Sequence, residues 1–72
     1  MLQKKLGQRI ANLRRAKKFT QEQLAEAVGC SVEFISLVER GVNAPSIAGL
    51  EKFAKVLKVE VKALFSFEEK KR

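Results

Sequence analysis

Two short segments meet with almost nothing between them. Residues 20–29 read TQEQLAEAVG and residues 31–41 read SVEFISLVERG, with Cys30 alone in the gap. Each opens on a hydroxyl side chain suited to cap a helix and closes on a glycine suited to stop one. Thr20 is followed three residues on by Gln23, which is the capping-box pattern. The first segment turns Leu24, Ala25 and Val28 to one face, and the second turns Ile35 and Val38. Two capped helices joined by so short a turn cannot lie antiparallel, so they cross steeply, as in a helix-turn-helix. That crossing leaves one side of the second helix unused by packing.

The flanking sequence supplies the remaining helices. Leu2, Leu6, Ile10 and Leu13 line one face of a helix running from roughly Leu2 to Lys17, with Gln3, Arg9, Asn12 and Arg15 on the wet side. Phe19 then plugs the core. Ser46, after Pro45, caps a fourth helix whose apolar face is Ile47, Leu50, Phe53, Ala54 and Leu57. A short fifth helix is expected from Val61 to Phe65, followed by a frayed basic tail over 66–72. Without useful strand alternation, internal repeat or linker, the whole chain, 1–72, reads as one all-α domain of five helices.

Composition narrows the chemistry. The net charge of +7 on 72 residues favours a polyanionic partner, either nucleic acid or an anionic membrane surface. There is no histidine, and Cys30 is the single cysteine, so an internal disulfide and a cysteine-cluster zinc site are both excluded. The four glycines stand apart, forming no phosphate-binding loop. We therefore expect no enzyme, no metal, no cofactor and no small-molecule ligand. Met1 to Lys18 mixes charges throughout, unlike a secretory signal, and no apolar run is long enough to cross a bilayer. The expected compartment is the cytoplasm.

Further matches accumulate in fixed register: Leu6-Gly7, Arg9-Ile10, Leu13-Arg14, Thr20-Gln21, Leu24-Ala25, Val28-Gly29, Val38-Glu39-Arg40-Gly41, Pro45-Ser46 and Leu64-Phe65. Over residues 6–65 the chain resembles the phage Cro/repressor-type, or XRE-type, helix-turn-helix family. The resemblance implies a compact five-helix Cro/repressor-like domain with its motif over 20–40. It also implies a sequence-specific DNA-binding regulator of transcription, with the third helix in the major groove. Carried over residue by residue, Ser31, Val32, Glu33, Ser36 and Leu37 face the bases. Valine and leucine suit thymine methyl groups, and Glu33 suits a cytosine amino group. Gln21, Arg14, Lys18, Phe34, Arg40 and Asn43 are the expected phosphate-backbone contacts, and Arg14 is expected to pair with Glu39. A homodimer on a palindromic operator is implied, joined through Val59, Val61, Leu64, Phe65 and Phe67, with half-sites roughly 10 base pairs apart.

The sequence departs from the family in three places. The groove-facing set has no arginine or glutamine. Lys58 stands where relatives often end the fourth helix with glycine, and Glu60 is a weak cap. An antitoxin or restriction–modification controller of the same fold is an alternative, as is a protein-interaction module that uses the Val32/Phe34/Leu37 face. Membrane-surface binding through Val56 to Arg72 ranks below these, because its apolar residues are needed for packing.

Overall fold

The computed structural model describes residues 2–67. Its elements are α1 (Leu2–Ala16), α2 (Gln21–Val28), α3 (Val32–Glu39), α4 (Ile47–Leu57) and a closing 3-10 turn (Val61–Phe65). Among the described residues there is no strand. The expected short fifth helix is present over the predicted residues as a 3-10 rather than an α-helical segment. Its cap, Glu60, makes no side-chain bond to the first turn, and five residues are too few to sustain an α-helical ladder alone. The tail expected to fray lies mostly outside the described residues.

The starts of α2, α3 and α4 are capped as the sequence predicts. Thr20 Oγ1 accepts from the Gln23 amide at 3.0 Å, while Gln23 Oε1 accepts from the Thr20 amide at 2.9 Å. Ser31 Oγ accepts from Phe34, and Ser46 Oγ accepts from Gly49, both at 3.0 Å. The four helix ends share one device: a residue in the left-handed region, followed by an amide that donates five residues back. Gly29 (φ 91) and Gly41 (φ 80) serve α2 and α3, with Cys30 N–H donating to Ala25 O at 2.9 Å and Val42 N–H to Leu37 O at 2.9 Å. Lys18 (φ 64) and Lys58 (φ 60) serve α1 and α4, with Phe19 N–H donating to Arg14 O and Val59 N–H to Ala54 O, both at 3.0 Å.

The core is a single apolar cluster with no polar or charged residue among its members. Ile10, Leu24, Ile35, Val38, Phe53, Leu57 and Leu64 are its fully enclosed members. Leu13 and Phe19 pack partly against it. Two expected inward residues lie outside: Leu2 is 61% exposed and Ile47 75%. Each is the first residue of its helix. On α1 the inner face is completed by Gly7 and Ala11. At Gly7 the backbones of α1 and α3 nearly touch. A Cβ there would overlap the Val38 carbonyl oxygen and lie 2.8 Å from that of Glu39.

Two residues assigned to solvent are in fact ties. Arg9 Nε donates to the Ala63 carbonyl at 2.8 Å, fixing the 3-10 turn to α1. Gln3 Nε2 donates to the Gly41 carbonyl at 3.0 Å. Leu64, expected at a subunit interface, is instead enclosed by the chain's own core, because the 3-10 turn packs against both α1 and α4.

Candidate nucleic-acid interface

Ile35 and Val38 are buried and pin α3 from beneath. At its N-terminal end Ser31, Val32 and Glu33 are exposed, while Ser36 and Leu37, further along the helix, are half-buried. Phe34 is half-buried and packs against the core cluster. Lys18, just after α1, and Arg40 and Asn43, after α3, are exposed.

Arg14, Gln21 and Glu39 form one polar cluster. Arg14 Nε donates to Glu39 Oε2 at 2.6 Å and Nη2 to Oε1 at 3.2 Å, while Nη1 donates to the Phe19 carbonyl at 2.9 Å. Gln21 Nε2 donates to Glu39 Oε1 at 3.0 Å. The two charged side chains are 11% and 7% exposed, so this pair is largely withdrawn from water. Two of the expected phosphate contacts, Arg14 and Gln21, are therefore engaged inside the domain. Gln21 keeps a second amide hydrogen, because a primary amide carries two donors.

The cluster floors a polar cleft of about 580 Å³ between α1 and the two motif helices, walled by Gln8, Asn12, Arg15, Ser36 and Arg40. From the sequence, Asn12 and Arg15 were simply wet and Gln8 had no role. Their spacing of four and three residues, which puts 8, 12 and 15 on one helical face, was the available signal. Glu33 contrasts with Glu39: among the described residues it has neither ion pair nor side-chain hydrogen bond.

A family profile for the helix-turn-helix domain HTH_3 matches residues 10–64. The chain belongs to the XRE-type helix-turn-helix family. This XRE-type domain is 39% identical over 59 residues to the immunity repressor of Bacillus phage phi105, covering 82% of this chain and 41% of the repressor. It is 39% identical to the restriction-modification controller protein C.AhdI from Aeromonas hydrophila, whose crystal structure superposes with a TM-score of 0.83 over 86% of this chain and 94% of that one. SinR, the master regulator for biofilm formation, crystallised in complex with DNA, is 40% identical with a TM-score of 0.77, covering 82% of this chain and 95% of that one. The XRE-type chain thus spans less than half the length of the phage repressor it matches.

The far side of the XRE-type domain carries the remaining candidates. Val61 and Phe65 are 37% and 36% exposed, and Val59 and Phe67 are half-buried beside them. The Phe65 and Phe67 rings meet edge-to-face at 6.3 Å, and Lys5 Nζ lies 5.9 Å from the Phe67 centroid. In the turn between α2 and α3, burial pushes the Cys30 thiol above its ordinary pKa against the lowering effect of Lys52, so Cys30 acts there as a small apolar residue. Among the described residues no helix is long and apolar enough to cross a membrane, and no side-chain group could hold a metal.

Proposed function

We propose that this protein is a sequence-specific DNA-binding regulator of transcription that lays α3 in the major groove. The observation that carries the reading is the division of α3 into a face pinned by Ile35 and Val38 and an open edge at Ser31, Val32 and Glu33. Ser31, Val32, Glu33, Ser36 and Leu37 meet the bases. Lys18, Arg40 and Asn43 hold the phosphates on either side, Phe34 lies against the sugar-phosphate backbone, and Gln21 donates its second amide hydrogen to a phosphate. Arg14 has its charge taken up by Glu39 and acts through it, holding the carboxylate that positions Gln21. A net charge of +7 suits a partner with dense negative charge.

The active species in this reading is a homodimer on a palindromic operator, closed through Val61 and Phe65 with Val59 and Phe67 at the margin. A DNA partner puts the protein in the cytoplasm. Similarity to C.AhdI over nearly the whole of that protein favours control of a restriction–modification system as the variant to test first.

Selection from random-sequence duplexes, followed by anisotropy titration at two salt concentrations, tests the proposal. The expected result is a palindromic consensus bound about a thousandfold or more above random DNA. The salt slope should be near 0.9 per phosphate contacted. Weak binding that salt abolishes, with no consensus, would leave the protein-interaction reading in front.

A further inference from the structure

The open edge of α3 has an unexpected chemistry for a surface that meets a polyanion. Val32–Glu39 contains no Lys, Arg, Gln or Asn, so the Ser36 hydroxyl, with that of the N-cap Ser31 before it, is the only kind of side-chain donor this edge can offer to a base. Guanine presents only acceptors in the major groove, N7 and O6, and this helix has little to give them. What it does present is Val32, 39% exposed, and beside it the exposed carboxylate of Glu33. Glu39 has its charge held by Arg14 and Gln21. Glu33 has no such partner among the described residues. A lone carboxylate carried up to phosphates is repelled unless it finds a donor. The major groove offers two amino donors, cytosine N4 and adenine N6, but adenine sets its N7 acceptor beside the amino group, so cytosine suits a carboxylate better; the apolar group that suits valine is the thymine C5-methyl.

Resting on the regulator reading above, we propose that Glu33 is a specificity-determining residue. It selects a C·G pair in each half-site by accepting from the cytosine amino group, while Val32 seats on the methyl group of a neighbouring thymine. Selection works by exclusion as much as by attraction, because an edge that shows only acceptors sets negative centres against the carboxylate. Glu33 therefore weakens binding to random DNA and sharpens choice. A carboxylate in the first turn also suits the positive end of α3, but that effect is blind to DNA sequence, which separates the two roles.

The test is random-sequence selection with the full chain and with E33Q, each consensus then being titrated by anisotropy. Wild type should require a C·G pair and prefer it to A·T by about tenfold. E33Q should reverse that preference, because glutamine can bond adenine N6 and N7 together. The variant should also bind random DNA more tightly. Replacing the neighbouring thymine by deoxyuridine, which removes only the methyl, should weaken wild type about threefold to fourfold and leave V32A unaffected. An identical consensus for wild type and E33Q, with only a lowered melting temperature, would assign Glu33 to the helix end and overturn the proposal. Insensitivity to deoxyuridine would remove Val32 from it. Absence of any wild-type consensus would take down the regulator reading as well.

Discussion

Arg14 grips Glu39 with two nitrogens, at 2.6 and 3.2 Å, and joins the last residue of α3 to the end of α1. Removing one partner strands the other at 11% or 7% exposure. Glu39→Ala should therefore lower the unfolding free energy by about 3 kcal/mol, and Arg14→Ala by a similar amount. The double variant should lose less than the two together, with a coupling above about 1 kcal/mol in a urea-denaturation cycle. Strict additivity would mean that the pair contributes nothing beyond its separate residues.

Gly7→Ala sets two effects against each other. Alanine is the better helix former by about 1 kcal/mol. Its Cβ, however, would overlap the Val38 carbonyl oxygen, a backbone atom that cannot swing aside. Packing should win, with a net loss of about 2 kcal/mol and a melting temperature lower by roughly 10 °C. Circular dichroism during heating checks the sign.

Lys58 holds a left-handed conformation that glycine adopts without strain. Lys58→Gly should raise stability by about 1 kcal/mol and the melting temperature by roughly 5 °C. A thermal scan showing a drop would mean that the lysine stem contributes packing that its exposure does not suggest.

Phe65→Glu places a charge on the exposed apolar edge of the 3-10 turn, while Leu64 keeps the turn anchored. If Val61 and Phe65 join two copies, sedimentation should find wild type as a dimer at micromolar concentration and the variant as a folded monomer. Equal sedimentation of both would place the interface elsewhere.

Local chemistry was legible in the sequence, and long-range geometry was not. Thr20, Gln23, Ser31 and Ser46 announce their helix starts because a cap needs only residues within a single turn. Leu24, Ile35, Phe53 and Leu57 follow from helical spacing alone. Ile47 and Leu2 fit the same spacing, yet they protrude, since periodicity does not tell where the opposing surface stops. Gly7 gave no sign of its role, because the constraint is a carbonyl more than thirty residues away. Arg9 and Gln3 resemble ordinary solvated residues, and their acceptors are backbone carbonyls that no side-chain pattern encodes. In the candidate interface, Glu33 and Glu39 are the same residue type on one helix; the family resemblance implies Arg14 as a partner for Glu39, but that Glu33 has none among the described residues is seen only in the fold.

The hydrogen bond from Gln21 to Glu39 has a mechanical meaning. Helices α2 and α3 form a V with its vertex at Gly29–Ser31, and this bond spans the mouth, from the first residue of one arm to the last of the other. A braced V is a triangle, which cannot change its angle without changing the length of a side. The angle between the arms is thus fixed by the strut as well as by the hinge. A chain with Gln21 shortened to alanine would keep both arms in the shared core of Leu24, Ala25, Ile35 and Val38 and lose only the brace across the mouth.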